Sequence, residues 1–396
     1  MSDMSLAKAP TIAWLVSLNV IGVNLIAPVL PSYAAHFSIS ITVASALVAS
    51  FAFSRMLLRV PAGRLSDARG SRVICAAGGV VQALGALLAA LAPGFGLLLV
   101  GRMLQGAGSS LFGTSANRFL LVTTEREQLG RATAWFQAGI LAGNTIGPLL
   151  GGVVAEVAGI WAPFWVQAAL AFGLTVVSLI AIREPERRGA VPTPDTAAVS
   201  ARMLFGMSGF PVLMVMAFGL FFVRAGAFNV AVPAFGDAVM SLSPAQIGLV
   251  VSLGSIVSLG LLGPAGRIAD KRGRRPVAIV GVFGLAAAVA ALGLTRSFVA
   301  FAAVSALTGI GMGLTSVALP TMVGDLAPPG TEGMASGLFR MANDLGWVVG
   351  PFVLGALADR DLYSTAFVVS GLPLAFGGMW FVFRSRSAGT AGVARL

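Results

Sequence analysis

Charged side chains inside long apolar stretches are the residues of this chain whose chemistry is most informative. Arg55, Arg102, Arg224 and Arg340 fall within such stretches, and Asp344 is the carboxylate closest to the centre of one. Long apolar stretches can span a bilayer, where a charge is costly, so these residues are expected to face a partner, water or a bound ligand. The excess of positive charge predicts a cationic interior, which suits an anion, a zwitterion or a weak acid.

The types and positions of these residues suggest two roles. We predict that a substrate is bound by Arg55, Arg102 and Arg224, together with the amides of Asn24 and Asn144.

Arg340 and Asp344 are four residues apart on a predicted helix, so they share a face and can form an ion pair. Pairing favours the ionised carboxylate and desolvation favours the protonated one, which is the behaviour of a proton carrier. A static pair that neutralises two buried charges is the alternative. The sole histidine, His36, is a further candidate for a proton role, against a solvated loop residue.

Composition assigns the chain to the membrane proteins. Hydrophobic residues make up 57% of it and its mean hydropathy is +0.91, beyond the roughly 45–50% apolar content of soluble domains. The net charge of +11 does not indicate nucleic acid, because the basic residues lie between apolar runs of about 20 residues. Cys75 is the single cysteine, so no intrachain disulfide is expected. No signal peptide is evident, and the first run is predicted to be a retained helix.

The apolar runs predict an all-α membrane protein of twelve spans. An even number of spans places both termini on one side of the membrane. The predicted loops of the other side contain only two basic residues, Arg296 and Arg360. By the positive-inside rule both termini are therefore expected in the cytoplasm. The predicted spans are residues 11–30, 41–60, 73–92, 96–122, 132–157, 163–182, 209–235, 245–265, 277–295, 297–323, 334–357 and 364–383.

The chain contains an internal duplication. The stretch GRLSDARGSR at 63–72 is repeated as GRIADKRGRR at 266–275, an offset of 203 residues (266 minus 63), and glycines and prolines of later spans repeat at the same offset. This period predicts two six-span halves, 1–182 and 209–396, joined by a polar, Pro-rich cytoplasmic linker at 183–208. Many secondary transporters are built from such repeats, with the substrate site near the bilayer midplane.

The motifs resemble those of the major facilitator superfamily, in particular its twelve-helix drug/proton antiporters. The two repeated stretches resemble the family's motif between spans 2 and 3 and spans 8 and 9. This resemblance implies gating roles on the cytoplasmic side for Gly63, Asp67, Arg72, Gly266, Asp270 and Arg275. Glycine permits close helix approach, and a carboxylate can accept hydrogen bonds from a helix N-terminus. We therefore expect Asp67 near Gly333 at the start of span 11, and Asp270 near Gly130 at the start of span 5. The same basic stretches can also fix the orientation of the helices in the membrane.

Two further motifs support this resemblance. GRMLQGAG at 101–108 resembles the family's span-4 motif with a membrane-embedded arginine, although an arginine near a span end can also snorkel to the interface. GNTIGPLLGG at 143–152 resembles the span-5 motif of exporters, which implies a gating role for Gly147 and Pro148. A close-packing glycine seam explains the same glycines. The chain departs from the drug/proton pattern in span 1, which contains Asn19 and Asn24 but no carboxylate.

Together these features predict a monomeric transporter of the bacterial cytoplasmic membrane that works by alternating access. Proton antiport that exports a small anionic or zwitterionic compound is the leading expectation, and an importer or facilitator of a small organic anion is the alternative. The partners are then the substrate and the lipid bilayer, with no cofactor and with the proton gradient as energy source. A transporter-like receptor or a membrane enzyme is the other class, and no nucleophile motif or metal cluster in the sequence supports an enzyme.

Overall fold

The computed structural model describes residues 9–124, 128–182, 202–207, 209–328 and 331–390, whose regular secondary structure is entirely helical. Within these ranges, eleven helical segments are long and apolar enough to cross a membrane. A further helix, Phe95–Thr123, carries Arg102 and Arg118. All twelve predicted spans are therefore present as helices.

Two of the spans are interrupted. Span 1 consists of α1a (Ala9–Asn24), a 3₁₀ turn (Ala27–Val29) and α1b (Leu30–His36). Span 7 consists of α7a (Phe210–Phe222), a π-helix (Val223–Ala231) and α7b (Val232–Met240). The other helices are α2 (Ile41–Arg69), α3 (Ser71–Ala90), α4 (Phe95–Thr123), α5 (Leu129–Ala158), α6 (Ala162–Ala181), α8 (Pro244–Arg272), α9 (Arg274–Leu292), α10 (Phe298–Leu326), α11 (Glu332–Ala358) and α12 (Tyr363–Thr390).

The repeated basic stretches differ from the predicted loops. Helix α2 continues to Arg69 and α3 begins at Ser71, so Gly70 alone separates them. In the second copy Gly273 alone separates α8 from α9. Both glycines have a φ near +88° and a ψ of 152°, a conformation that is essentially restricted to glycine. The basic side chains therefore lie on helix ends, which extend beyond the apolar segments that the sequence prediction used.

Replacing Gly70 or Gly273 with Ala should destabilise the protein by about 1–3 kcal/mol, because a side chain is strained in this backbone conformation. Thermal unfolding in detergent measures the effect. Gly266→Ala is the matched control: this glycine lies within α8, and an added methyl group would meet no described atom within 4 Å. A loss of stability as large at 266 as at 273 would contradict the argument.

The chain forms two compact units. The first contains Met1–Val191 with Val232–Ser252, and the second contains Pro192–Ala231 with Leu253–Leu396. The first unit thus contains α1a to α6 together with α7b and the first turns of α8. The predicted boundaries at 182 and 209 stay a prediction, and most of the predicted linker, 183–201 and 208, lies outside the described residues.

Corresponding helix contacts within each unit confirm the duplication. A side chain at Gly106 of α4 would collide with the backbone of Phe51 in α2, and one at Gly309 of α10 with the backbone of Gly254 in α8. Both members of the second pair follow the first by 203 residues. The same offset relates the contact of Gly108 with Gln82 to that of Gly311 with Leu285. The two halves therefore share one packing scheme.

Candidate functional site

Two predicted binding residues meet at the point where the first helix of span 1 ends. Helix α1a ends at Asn24, because Pro28 and Pro31 lack the amide hydrogens that would continue the helical bonds to the carbonyls of Asn24 and Ala27. The Nδ2 atom of Asn24 donates to Oδ1 of Asn144 over 3.1 Å and to the carbonyl of Val20 over 2.9 Å. The two amides thus form one polar contact between α1a and α5.

The glycine motif of α5 forms the packing surface around this contact. A Cβ atom built at Gly147 would lie 2.8 Å from the Cβ atom of Asn24, so only glycine fits at this position. The carbonyl of Pro148 faces Gly248 in the first turns of α8, which belong to the same compact unit. The motif therefore packs on α1a and on the start of α8, and the gating role of Gly147 and Pro148 stays a prediction.

Two of the predicted binding arginines lie beside the same aromatic ring. The guanidinium carbons of Arg102 and Arg55 are 4.8 Å and 5.5 Å from the ring centre of Phe51. Arg102 is only 2% exposed; its Nε donates to the carbonyl of Leu47 over 3.0 Å and its Nη1 to Oε1 of Gln105 over 2.6 Å. These contacts lie inside the N-terminal half, so they also fit a structural arginine, and the substrate-binding role of both residues stays a prediction.

A group of buried amides was missed by the sequence analysis. Asn19 of α1a, Gln82 of α3 and Gln167 of α6 line one narrow cleft. Gln82 is 2% exposed and Gln167 is 1% exposed, and among the described residues neither polar atom of the Gln167 amide has a hydrogen-bond partner. Polar residues inside apolar runs could have indicated this cluster. The sequence does not show which helices meet, so the three amides could not be grouped.

Replacing Gln167 with Met should stabilise the protein by about 1 kcal/mol, because an unpartnered buried amide loses its hydration without forming a bond in return. The melting temperature in detergent should rise. Gln105→Met is the control and should lower it, because the Oε1 atom of Gln105 accepts a hydrogen bond from Arg102. Destabilisation by Gln167→Met would mean that a molecule or another conformation pairs this amide.

The second half contains a π-helix that contains a predicted binding residue. Arg224 is the second residue of this segment, is half-buried and donates from Nη2 to the hydroxyl of Ser316 on α10 over 3.1 Å. Its guanidinium carbon lies 5.3 Å from the ring centre of Phe221. The side-chain amide of Asn229 donates to the carbonyl of Arg224 over 2.9 Å. Among the described residues, no carboxylate forms an ion pair with Arg224. π-Helical turns occur frequently at functional sites.

The predicted proton-coupling residues differ in their exposure. Asp344 is 1% exposed, whereas Arg340, one helical turn before it on α11, is exposed. A buried carboxylate inside a span is in accord with the predicted role, and both the ion pair and the proton transfer stay predictions.

The acidic residues of the repeated basic stretches have different environments. Asp67 accepts a hydrogen bond from Nε of Arg118 on α4 over 2.6 Å, and Arg118 also donates to the hydroxyl of Ser71 over 3.1 Å. Asp270 is exposed, and no described residue forms an ion pair with it. The positions predicted to face these carboxylates, Gly130 and Gly333, lie outside the residues whose surroundings the structure describes, so the gate contacts stay predictions.

The two copies of the basic stretch differ in the residues that form their ion pairs. Arg72 and Arg275 are exposed, and the guanidinium carbon of Arg275 lies 5.4 Å from the ring centre of Phe381 on α12. In the second half Arg274 of α9 forms an ion pair with Asp325 of α10. In the first half, the ion pair thus joins an acidic residue of α2 to a basic residue of α4. In the second half, it joins an acidic residue of α10 to a basic residue of α9.

The close packing predicted for two glycines is not observed. A Cβ at Gly63 would make an ordinary contact, 3.8 Å from a methyl group of Thr114, and one at Gly266 would meet no described atom within 4 Å. The glycine that each copy requires is the one between its helices, since the steric demand arises from positive φ and not from helix approach.

This arrangement of duplicated apolar helices with polar groups inside them is that of a multi-pass membrane transporter. The chain belongs to the Major Facilitator Superfamily, whose family model matches residues 12–241 and 214–394. It is 25% identical over 361 residues to Multidrug resistance protein 1 of Bacillus subtilis, covering 90% of this chain and 91% of that protein. It is 23% identical over 367 residues to Quinolone resistance protein NorA of Staphylococcus aureus, covering 90% and 91%.

Solved structures agree with the fold. A bacterial homologue of the human lysosomal transporter Spinster, in an inward-facing and unoccupied conformation, matches with a TM-score of 0.80 at 17% identity, covering 100% of both chains. The predicted fold and the resemblance to the drug/proton antiporter group are thus confirmed. The relatives and the fold are those of membrane transporters and not of enzymes.

Proposed function

We propose that this transporter exports a small anionic or zwitterionic organic compound in exchange for protons, by alternating access of its two halves. The observation that carries the proposal is the environment of Arg224. Its cation lies half-buried within a span and is held by a neutral hydroxyl and an aromatic ring. A cation that no described carboxylate neutralises is available to a negatively charged group, and charge-assisted hydrogen bonds are the stronger ones.

The direction of transport rests on the relatives. Two of them are named for resistance, to multiple drugs in Bacillus subtilis and to quinolones in Staphylococcus aureus, and resistance is a usual consequence of export. The glycine motif of α5 supports the same direction by its resemblance to the exporter motif. Both termini are then in the cytoplasm of a bacterium, and the monomer is the working unit.

Proton coupling is assigned to Asp344. This carboxylate is almost fully buried in a span, where a change of access can change its protonation. His36 is the alternative; it is exposed at the end of α1b, and its ring contacts Trp161 edge-on with centroids 5.4 Å apart.

Flux measurements in proteoliposomes test the proposal. Exchange of an outward-moving monoanion for an inward-moving proton transfers charge, so a negative potential on the cytoplasmic side should accelerate it. A pH-sensitive dye should report protons moving opposite to the compound. Symport of one monoanion with one proton is electroneutral and would be insensitive to the potential.

The alternative function, an importer or facilitator of a small organic anion, is favoured by the same cationic residues, since they do not determine direction. Cells that express the protein should be more resistant to exported compounds and should accumulate less of them. Increased accumulation that depends on the protein would establish the alternative and overturn export.

A further inference from the structure

We propose that the basic end of α8 and α9, together with Phe381 of α12, binds the headgroup of one anionic phospholipid. The stretch 266–275 contains five basic residues and one acid, Asp270. One of the five, Arg274, is neutralised by Asp325. The other four basic residues are exposed; they are Arg267, Lys271, Arg272 and Arg275. This leaves a concentrated positive patch at one end of the helical bundle.

Arg275 connects this patch to the surface that faces the lipid. Its guanidinium carbon lies 5.4 Å from the ring centre of Phe381, which is near the end of the membrane-spanning segment Tyr363–Phe383. The ring orients the guanidinium through a cation–π contact and leaves its hydrogens available to a phosphate. The cation is thus held near the end of an apolar span, where lipid headgroups are expected.

The helix that contains Phe381 also carries exposed apolar side chains. Phe383, Met379 and Phe376 of α12 are 66%, 47% and 58% exposed, and Phe376 contacts Trp380 with ring centroids 6.2 Å apart. A phosphate-binding cation beside an apolar surface matches a molecule with an anionic head and acyl chains. Basic clusters at the ends of membrane helices are recognised sites for anionic lipids. A free phosphate or a nucleotide would use the charges but not the apolar surface.

The internal duplication provides a comparison. The residue corresponding to Arg275 in the first half is Arg72, which is also exposed, but the residue corresponding to Phe381 is Ser178, a buried serine. The first half therefore has the cation without the ring that orients it. We assign the lipid site to the second half alone.

Native mass spectrometry of the full chain tests this assignment. The protein is first purified from nanodiscs that contain equal amounts of phosphatidylglycerol and phosphatidylcholine. Wild type should retain phosphatidylglycerol in preference to phosphatidylcholine. Arg275→Gln should reduce this retention about fivefold, the equivalent of about 1 kcal/mol for one basic residue at an anionic surface. Phe381→Leu should reduce it in the same direction while keeping every charge, whereas Arg72→Gln should retain the lipid as wild type does.

Three results would overturn the proposal. Equal loss of lipid from Arg72→Gln and Arg275→Gln would mean that the lipid responds to general charge. Retention of phosphatidylcholine to the same extent as phosphatidylglycerol would mean that the site does not recognise the charge of the headgroup. Displacement of the lipid by inorganic phosphate in the purification buffer would identify a free-anion site instead. Because the readout is lipid retention, these results do not depend on the transport function.

Discussion

Replacing Asp344 with Asn is expected to abolish proton-driven accumulation of substrate while leaving substrate exchange measurable. Asparagine has nearly the same shape as aspartate but cannot gain or lose a proton in the pH range of transport. Binding and the conformational change should persist, so counterflow of labelled against unlabelled substrate should continue at a rate close to that of wild type. Accumulation under an imposed pH difference should fall to the equilibrium level.

A carboxylate at the end of the same helix provides the control. Asp359 follows the last residue of α11 and is exposed, so Asp359→Asn should leave proton-driven accumulation intact. If Asp344→Asn still accumulated substrate against its gradient, Asp344 would not be the carrier and His36 would be tested next. Simultaneous loss of counterflow and accumulation would assign Asp344 to the structure of the half and not to coupling.

Replacing Arg224 with Gln should lower the affinity for an anionic substrate about tenfold or more. The variant loses a charge-assisted hydrogen bond worth about 1.5–3 kcal/mol, and glutamine offers only a neutral donor in its place. Isothermal titration of the purified protein with the transported compound measures the change. A neutral analogue of the same compound should bind wild type and variant alike, because the lost interaction requires the negative charge.

Two further variants separate binding from structure. Ser316→Ala removes the described partner of Arg224 but keeps the cation, so it should weaken binding less than Arg224→Gln. Arg102→Gln tests the second predicted binding arginine, whose described contacts to Leu47 and Gln105 lie within its own half. Equal affinity of wild type, Arg102→Gln and Arg224→Gln would mean that neither arginine meets the substrate.

The fold was predictable from sequence because its signals are local or strictly periodic. The length of an apolar run reports a membrane span, and the constant offset of 203 residues between the two basic stretches reports the duplication. Both properties survive without knowledge of any long-range contact. The helices containing Gly63 and Gly266 extended beyond prediction, because a helix end outside the bilayer need not be apolar.

Parts of the candidate site were also within reach of the sequence. Charged residues inside apolar runs, among them Arg224 and Asp344, were selected as candidates because a charge inside a bilayer is costly unless it has a partner. Their roles stay predictions. The proximity of Asn24 to Asn144 is in accord with their common prediction as binding residues, although nothing in their spacing required it.

The tertiary structure alone decided which polar groups meet. The contact of Arg224 with Ser316 joins residues 92 positions apart, and the amides of Asn19, Gln82 and Gln167 come from three different helices. Such contacts depend on which faces of the helices are turned toward each other, and an apolar run that is hydrophobic on all sides does not encode its rotation. The π-helix around Arg224 could not be predicted either, because a change from α-helical to π-helical turns leaves the composition of the apolar run unchanged.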